Sequence, residues 1–325
     1  MAETTIEWTR GAGGEQGYSF NGWIGCTEVS RAVTGGGGCD NCYARMSTPV
    51  RILRSKGHET WGPGAQRMRT SEQNWAKPKN WNALAKKKGI RAKVFCSSLS
   101  DVFDNEVPIE WFLELLELID ATPYLQWLLL TKRIGNVVKR LTEALQATQS
   151  AYMRSYIERW LAGHPPANVS LGATVVNQQE ANRDIPKLQA TPAAVRFLSI
   201  EPLLGEVKLP GLDGIHWVIV GGESGPKARP MHPKWVKSLR DQCIAAGVKF
   251  FFKQWGTWVN AKEADLDLNL CYEKSDTGGW VEPDGSYSVD ESAAPISPEA
   301  VHVFKLKKQS SGRLLEGRTW DAMPA

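Results

Sequence analysis

The 325-residue chain is 42% hydrophobic and 23% charged and has a formal net charge of +4, a composition typical of a globular protein with a sizeable core. No run approaches the roughly 18 uncharged apolar residues of a membrane span, and the N-terminal MAETTIEWTR lacks the basic and apolar regions of a secretion signal. We therefore expect a cytoplasmic protein with no membrane partner, whose mild positive charge permits an anionic partner without requiring one.

Three cysteines, Cys26, Cys39 and Cys42, lie close together after a predicted first strand near residues 18–23. Three thiolates are one too few for a closed zinc site, but they match a [4Fe-4S] cluster whose fourth iron stays open to a substrate. Two alternatives stay open from this loop alone: a zinc site completed by His58, or ordinary buried cysteines. Six cysteines in 325 residues do not form a secreted disulfide framework, and a reducing compartment suits a cluster.

Beyond residue 92, short apolar runs alternate with segments of helical periodicity. Predicted strands cover 93–98, 125–130, 169–175, 195–200, 216–220 and 249–252, and predicted helices cover 108–121, 134–145, 179–188 and 234–246. The alternation predicts a parallel sheet with right-handed crossovers, and the continuous apolar character of the strands predicts burial of both faces. We therefore predict an α/β fold, a full or partial (β/α) TIM-like barrel, over residues 1–256.

Residues 257–325 break this alternation. The stretch 260–298 is rich in acidic residues, Gly, Pro and Ser, which predicts an irregular lid with a hairpin around 280–287. The tail ending GRLLEGRTWDAMP carries two arginines and a tryptophan and is expected to fold back over the barrel. We therefore predict a C-terminal extension that packs on the barrel.

Polar side chains follow the predicted strands at their carboxyl ends, where α/β barrels carry their sites. They are Ser98, Ser100, Asp101, Lys132, Arg133, Thr174, Asn177, Gln178, Glu201, Glu223, Lys253, Gln254 and Trp255. A positive rim that suits a phosphate or carboxylate is formed by Lys132, Arg133, Arg229 and Lys253. Ordinary surface charge and, for Asp101, a cap on the following helix are the alternatives. The glycines at 221–225 permit a close approach to a ligand.

Fourteen tryptophans are large surfaces that must be buried or stacked against something. Several lie in Gly-, Pro- or Asn-rich segments where they could stack on nucleobases, namely Trp61, Trp75, Trp81 and Trp258. The interpretation we favour is that they attach loops to the core.

The chain resembles a known family over almost its whole length. Nine collinear blocks carry the resemblance: IEWT, GCTEVS with GCDNCYAR, LSDVF, LLLTKR, LGATVVNQ, FLSIEPLLG, WVIVGGESGPKARPM, FFFKQWG and GRLLEGRTWDAMP. They are similar to a phage- and prophage-associated group of three-cysteine proteins, regarded as relatives of the radical S-adenosylmethionine (SAM) superfamily and of spore photoproduct lyase. The chain departs from the superfamily pattern C-x3-C-x2-C in two ways. Its first gap is twelve residues long and includes the glycines 35–38, and its aromatic residue, Tyr43, follows the third cysteine.

The resemblance implies a barrel of the radical-SAM type, with a [4Fe-4S] cluster on Cys26, Cys39 and Cys42 that cleaves SAM to a 5′-deoxyadenosyl radical. It implies cofactor binding by Tyr43, Ser98, Ser100, Asp101, Thr174, Asn177 and Gln178. It implies catalytic roles for Glu201, Glu223 and Lys253. It implies substrate binding by Lys132, Arg133, Arg229, Gln254 and Trp255.

The same resemblance implies a phage-encoded isomerase or lyase in the host cytoplasm, with flavodoxin or ferredoxin as electron donor. Its substrate would be anionic, a nucleotide or a modified nucleobase in phage DNA. Two other functions stay open. One is a nucleic-acid-binding protein stapled by zinc or a cluster, and the other is a nuclease or hydrolase that holds a divalent metal on Asp101, Glu201 and Glu223.

Overall fold

The computed structural model describes residues 3–11, 13–29, 36–275, 277–290, 292–307 and 310–324. The strands are β1 (Tyr18–Phe20), β2 (Trp23–Ile24), β3 (Met68–Arg69), β4 (Ala92–Cys96), β5 (Leu125–Thr131), β6 (Val169–Thr174), β7 (Val195–Ile200), β8 (Trp217–Gly221), β9 (Lys249–Gln254), β10 (Trp258–Val259), β11 (Gly278–Val281), β12 (Tyr287–Ser288) and β13 (Val301–Lys305). The helices are α1 (Thr48–Ser55), α2 (Glu72–Lys88), α3 (Ile109–Asp120), α4 (Val137–Ala147), α5 (Ala151–Leu161), α6 (Gln178–Ala190), α7 (Pro233–Ala245) and α8 (Leu268–Lys274). Short 3-10 helices cover Glu7–Thr9 and Ile134–Asn136.

Seven strands form one parallel sheet in the order β1-β4-β5-β6-β7-β8-β9, and the sheet curls into a half-barrel. Each neighbouring pair is parallel. Because the order follows the chain, each crossover adds its strand on the same side of the sheet and all carboxyl ends point the same way. The predicted α/β fold with a partial barrel is confirmed at this level.

Aromatic rings fill the interior of the half-barrel. Trp8, in the N-terminal 3-10 helix, is 3% exposed, and its ring centroid lies 4.8 Å from that of Phe95 and 6.1 Å from that of Trp217. Phe197 and Phe251 belong to the same cluster. The N-terminal segment therefore closes part of the interior that a complete barrel would fill with its own strands.

The tryptophans that sequence patterns left open are mostly core residues. Trp75 and Trp81 lie on α2, a helix that the sequence did not predict, and are 5% and 7% exposed. Trp81 stacks on Tyr18 of β1, with ring centroids 4.5 Å apart. Trp258 is 3% exposed, whereas Trp61 is half-buried. For three of these four residues, the prediction that they attach segments to the core is confirmed.

The C-terminal segment forms a four-stranded antiparallel sheet in the order β10-β13-β11-β12. The pairing of β11 with β12 confirms the predicted hairpin. The Trp235 indole of α7 donates to the Pro283 carbonyl of this segment over 2.8 Å. The tail returns to β9, where Asp321 forms an antiparallel bridge with Phe251. That this segment acts as a lid stays a prediction. Among the described residues, no helix has the length and apolar character needed to span a membrane.

Candidate active site

A cavity of about 660 Å³ lies at the carboxyl ends of the parallel strands. Of the residues predicted from sequence, it is lined by Cys26, Cys39, Cys42, Tyr43, Ser98, Ser100, Asp101, Lys132, Arg133, Thr174, Glu201, Glu223, Lys253 and Gln254. Trp8 and Phe95 of the aromatic interior also line it. The parallel sheet therefore gathers side chains from distant parts of the sequence around one space.

The three cysteines reach the cavity from two short stretches of chain. Cys26 follows β2 and is held by backbone bonds, its N–H donating to Thr60 and its carbonyl accepting from Gly62. Cys39 and Cys42 lie in one turn, in which the Cys42 N–H donates to the Cys39 carbonyl over 3.3 Å. All six cysteines are free thiols. Half of the twelve-residue gap between Cys26 and Cys39, residues 30–35 with the first of the predicted glycines, lies outside the described residues.

Within the described part of the chain, no three His, Cys, Asp or Glu side chains are grouped so that they could hold one metal ion. The histidine proposed as a fourth zinc ligand, His58, is exposed and does not line the cavity. A cubane cluster binds each thiolate through a different iron, so its ligands need not converge on a single point.

Arg133 lies against the first cysteine. Its Nη1 is 3.4 Å from the Cys26 Sγ, and its Nη2 donates to the Thr27 carbonyl over 2.7 Å. Burial raises the pKa of the Cys26 thiol to about 12, and the nearby charge of Asp101 adds to this, while Arg133 opposes it. The free thiol therefore keeps its proton at neutral pH, and a metal that binds there must displace that proton.

Asp101 is bound by groups of its own chain. It is 5% exposed and accepts hydrogen bonds from the Thr131 hydroxyl at 2.6 Å and from the backbone N–H groups of Lys132 at 2.9 Å and Phe103 at 3.0 Å. The expected alternative, a cap on the following helix, is wrong because the N-cap of α3 is Pro108. Asp101 instead joins the segment after β4 to the end of β5.

A buried ionic network supports the segment around Cys26, and sequence reasoning missed it. Arg67 Nε and Asp104 Oδ2 are 2.8 Å apart, and both side chains are fully buried. Arg67 Nη2 also donates to the Thr27 hydroxyl over 2.7 Å, and this hydroxyl lies 2.6 Å from Glu106 Oε1. Asp104 and Glu106 follow Asp101 closely in the sequence. No local pattern indicates that their partner is Arg67, which lies 37 residues before Asp104.

Glu223 and Arg229 contact the turn that contains Cys39 and Cys42. The Arg229 guanidinium binds both carboxylate oxygens of Glu223, at 2.6 and 2.8 Å, and its Nη2 also donates to the Gly37 carbonyl. Asn41, between Cys39 and Cys42, donates to Glu223 Oε2 over 3.1 Å. Arg229, predicted to bind substrate, therefore pairs with Glu223 and is not among the residues that line the cavity.

A second ion pair lies at the carboxyl ends of β7 and β9, on either side of β8. Lys253 Nζ lies 2.7 and 2.8 Å from the two carboxylate oxygens of Glu201, and Gln254 Nε2 donates to Glu201 Oε1 over 3.2 Å. Both charged side chains are only partly exposed, at 14% and 20%. Thr174 lines the same cavity from the end of β6. These strand ends offer an ammonium, a carboxylate and an amide to a polar ligand.

Besides Arg229, three other predicted residues are not among those that line the cavity. Asn177 is the N-cap of α6 and accepts from the Glu180 N–H, while Gln178 in the first turn binds the backbone of Lys208. The chain enters α6 directly after β6, so these two side chains are used by the helix and its neighbouring loop. Trp255 is 1% exposed, and its indole donates to the Leu314 carbonyl over 2.8 Å in the core.

Tyr43 and Ser98 both line the cavity. The residue Tyr43 is 62% exposed, and its hydroxyl donates to the Ser98 carbonyl over 2.9 Å. The Ser98 hydroxyl accepts from Asn21 over 2.9 Å. Ser100 Oγ is buried without a hydrogen-bond partner among the described residues. Lys132 is half-buried and forms no ion pair within the described chain, so its ammonium is available to an anionic ligand.

A family model described as "Protein of unknown function (DUF5131)" matches residues 3–324. The chain belongs to this family. No curated protein and no solved structure matches it. Because the description of the DUF5131 family names no activity, the function has to be argued from the cavity and its lining.

Proposed function

We propose that this protein is a radical SAM enzyme that holds a [4Fe-4S] cluster through Cys26, Cys39 and Cys42 and acts on an anionic substrate as an isomerase or lyase. The observation that carries the proposal is that these three cysteines, from two separate stretches of chain, line the same cavity as the polar ends of the parallel strands. In this proposal the curled seven-stranded sheet is the partial barrel of the radical-SAM type.

The donor set fits such a cluster. The three thiols are free, and a cluster with three protein thiolates keeps one iron open for the amino and carboxylate groups of SAM. Arg133, 3.4 Å from the Cys26 sulfur, offsets negative charge there and donates the kind of hydrogen bond to sulfur that tunes a cluster's reduction potential. A reducing electron donor such as flavodoxin or ferredoxin is implied.

When bound, the cluster and SAM would supply a carbon-centred radical, while the protein supplies binding, orientation and exclusion of water. Trp8 and Phe95 exclude water from one side of the cavity. Lys132 is the group best placed to hold a substrate phosphate or carboxylate, because it lines the cavity without an ion-pair partner among the described residues. Glu201 and Lys253 hold each other in place and present hydrogen-bonding groups to the cavity from the ends of β7 and β9.

A divalent-metal hydrolase built on Asp101, Glu201 and Glu223 has less support. Each carboxylate already pairs with a cation of the chain: Arg133 lies 3.4 Å from Asp101, Lys253 binds Glu201 and Arg229 binds Glu223. A metal would have to displace all three partners. The zinc-stapled alternative makes a different prediction for metal content, which the following experiment measures.

The test is anaerobic purification and reconstitution, followed by iron, sulfide and zinc analysis. We expect a brown protein with about four irons per chain. Cys39→Ala and Cys42→Ala should lose the iron, whereas Cys243→Ala, a buried thiol on α7, should keep it. Stoichiometric zinc with no uptake of iron would overturn the proposal. If iron binds, release of 5′-deoxyadenosine on reduction with SAM tests the radical chemistry.

A further inference from the structure

The arginines that the sequence suggested for binding an anionic substrate are occupied inside the protein. Arg133 faces Asp101 and Cys26, and Arg229 is bound to Glu223. A different basic segment lies beside the cavity. Residues 43–58 contain four cations, Arg45, Arg51, Arg54 and Lys56, and no aspartate or glutamate.

Two of these four cations have ion-pair partners on neighbouring segments. Arg45 pairs with Glu28 at 2.6 Å, and Arg54 pairs with Glu59 at 2.9 Å. Arg51 and Lys56 form no ion pair within the described chain, and the Arg51 guanidinium only donates to the Thr48 hydroxyl over 3.3 Å. Both side chains are exposed and their charge is available to a partner.

The helix α1 begins next to the cavity. Pro49 in its first turn lines the cavity, and Ile52 and Lys56 follow three and seven residues later, which places them on the same side of the helix. Among the described side chains of α1, only Val50 is buried. Ile52 is 49% exposed and Met46, just before the helix, is 65% exposed. Apolar side chains left exposed beside a cavity mouth are typical of a binding surface.

Two aromatic residues, Trp61 and Tyr43, line the cavity together with Pro49 of α1. Trp61 lines the cavity next to Cys26, with which it forms a parallel backbone bridge. Tyr43 also lines it, and this residue, 62% exposed, is fixed by the hydroxyl bond to Ser98. A positively charged path with exposed rings is how proteins bind single-stranded nucleic acid without base pairing, because every base has a face that stacks.

We propose that this rim, residues 43–56 with Trp61, binds a single strand of nucleic acid and directs one nucleotide into the cavity. The cations Arg51 and Lys56 select a polyanion, and the exposed apolar and aromatic side chains favour bases over bare phosphate. The cavity behind the rim, which Lys132 lines together with Trp8 and Phe95, suits a nucleotide better than a lipid surface, which would only touch the outside of the helix. That the bound nucleotide is the substrate rests on the proposed function.

The test is fluorescence anisotropy with a labelled single-stranded oligonucleotide of about 12 nucleotides, a length within the range of single-strand sites. The protein is the full chain carrying Cys39→Ser and Cys42→Ser, so the measurement does not depend on a cluster. Affinity should fall steeply with salt. Adding Arg51→Ala with Lys56→Ala should weaken binding several-fold at low salt and reduce the salt slope by about 1.4, the single-strand value for two phosphate contacts.

The matched control removes two charges elsewhere. Lys87→Ala with Lys88→Ala changes the last turn of α2, which leads into the amino end of β4 and so lies at the opposite end of the sheet. The affinity and the salt slope of this control variant should equal those of the chain in which Arg51 and Lys56 are unchanged. Equal weakening by the two double variants would overturn the proposal, because it would show a general charge effect.

Competitors identify the ligand class. Unlabelled oligonucleotide should displace the probe, while inorganic polyphosphate of matched charge should compete more weakly because it has no bases. Equal competition by polyphosphate, or binding to vesicles of equimolar phosphatidylglycerol and phosphatidylcholine without binding to the oligonucleotide, would overturn the proposal. Iron content of Arg51→Ala with Lys56→Ala in the chain with native cysteines should be unchanged, so a failure of the rim and a failure of the cluster are distinguishable.

Discussion

Asn41 donates from Nδ2 to Oε2 of Glu223 over 3.1 Å, although 182 residues separate them. The same amide donates to the Lys227 carbonyl over 2.8 Å. Because Asn41 lies between Cys39 and Cys42, the loop after β8 determines where these two cysteines sit. Glu223, first considered a catalytic residue, is thus placed to position the cysteine turn.

Glu223→Gln tests this positioning. The change keeps the size of the side chain but removes the charge that binds Arg229 at both oxygens, so the contacts of Asn41 and Gly37 should loosen. We expect less iron per chain after reconstitution and faster alkylation of Cys39 and Cys42 in the metal-free protein, measured by mass spectrometry.

The control is Glu282→Gln. Glu282 is another buried carboxylate, 5% exposed, but it binds Ile296 and Ser297 within the C-terminal segment. It should change neither iron content nor alkylation of the cysteine turn. Wild-type values for Glu223→Gln in both measurements would show that Asn41 and the backbone hold the turn without this carboxylate.

Asp104→Asn should destabilise the fold by up to about 3–5 kcal/mol, the usual cost of breaking a buried ion pair. Arg67 has no solvent exposure with which to recover hydration and keeps only Glu106, 3.3 Å away, as an ion-pair partner. Urea unfolding followed by circular dichroism measures the loss. The double change Arg67→Met with Asp104→Leu should recover much of it, because Arg67 is removed with its partner, Glu106 is partly exposed and Arg133 keeps Asp101. A loss below about 1 kcal/mol, as for an exposed pair, would contradict the buried network.

His232 should make stability depend on pH. Its Nδ1 accepts from the Lys234 N–H at the start of α7 and its Nε2 bonds to the Glu299 carbonyl, an arrangement that requires the neutral ring. Burial lowers the pKa of His232 below its usual value. The unfolded chain therefore binds the proton first, so this stabilisation is complete above the usual pKa of about 6.5 and is lost as pH falls through the lowered native pKa.

Thermal unfolding between pH 7.5 and pH 5, set on either side of the histidine pKa of about 6.5, measures this loss. His232→Asn keeps an acceptor at the N-cap but cannot titrate, so it should flatten the pH dependence. The same pH dependence in wild type and His232→Asn would assign it to other groups.

Gly222→Ala should destabilise the protein by at least about 1–3 kcal/mol, the usual cost of overpacking. A Cβ at Gly222 would overlap the Trp255 carbonyl oxygen, a backbone atom that cannot turn aside. The control Gly205→Ala has no atom within 4 Å of the added carbon and should be tolerated. Equal midpoints in urea for the two variants would contradict this. The glycines of GGESG were predicted to permit a close approach to a ligand. At Gly222 the close neighbour is the protein's own backbone at Trp255.

Local patterns predicted the half-barrel and most of the cavity wall. Apolar runs of β-branched and aromatic residues can form only buried strands here, and parallel strands place the residues that follow them at one edge, which is why Thr174, Glu201 and Lys253 were found. The same rule misplaced Asn177 and Gln178, because a strand-end residue that begins a helix is used as its cap. Helices α1, α2, α5 and α8 were not predicted. Helix α1 buries only Val50, and α2 has only a weak amphipathic pattern.

The sequence by itself determined which chemical groups this protein has for a site: three clustered cysteines and a set of strand-end polar residues. Only the tertiary structure decided which charges are available. Arg133 and Arg229 were predicted to form a positive rim for an anionic substrate, but packing brings Asp101 and Glu223 to them, whereas Arg51 forms no ion pair with a described residue. A buried charge must find a partner, and that partner is chosen by proximity in the fold, which sequence spacing does not encode.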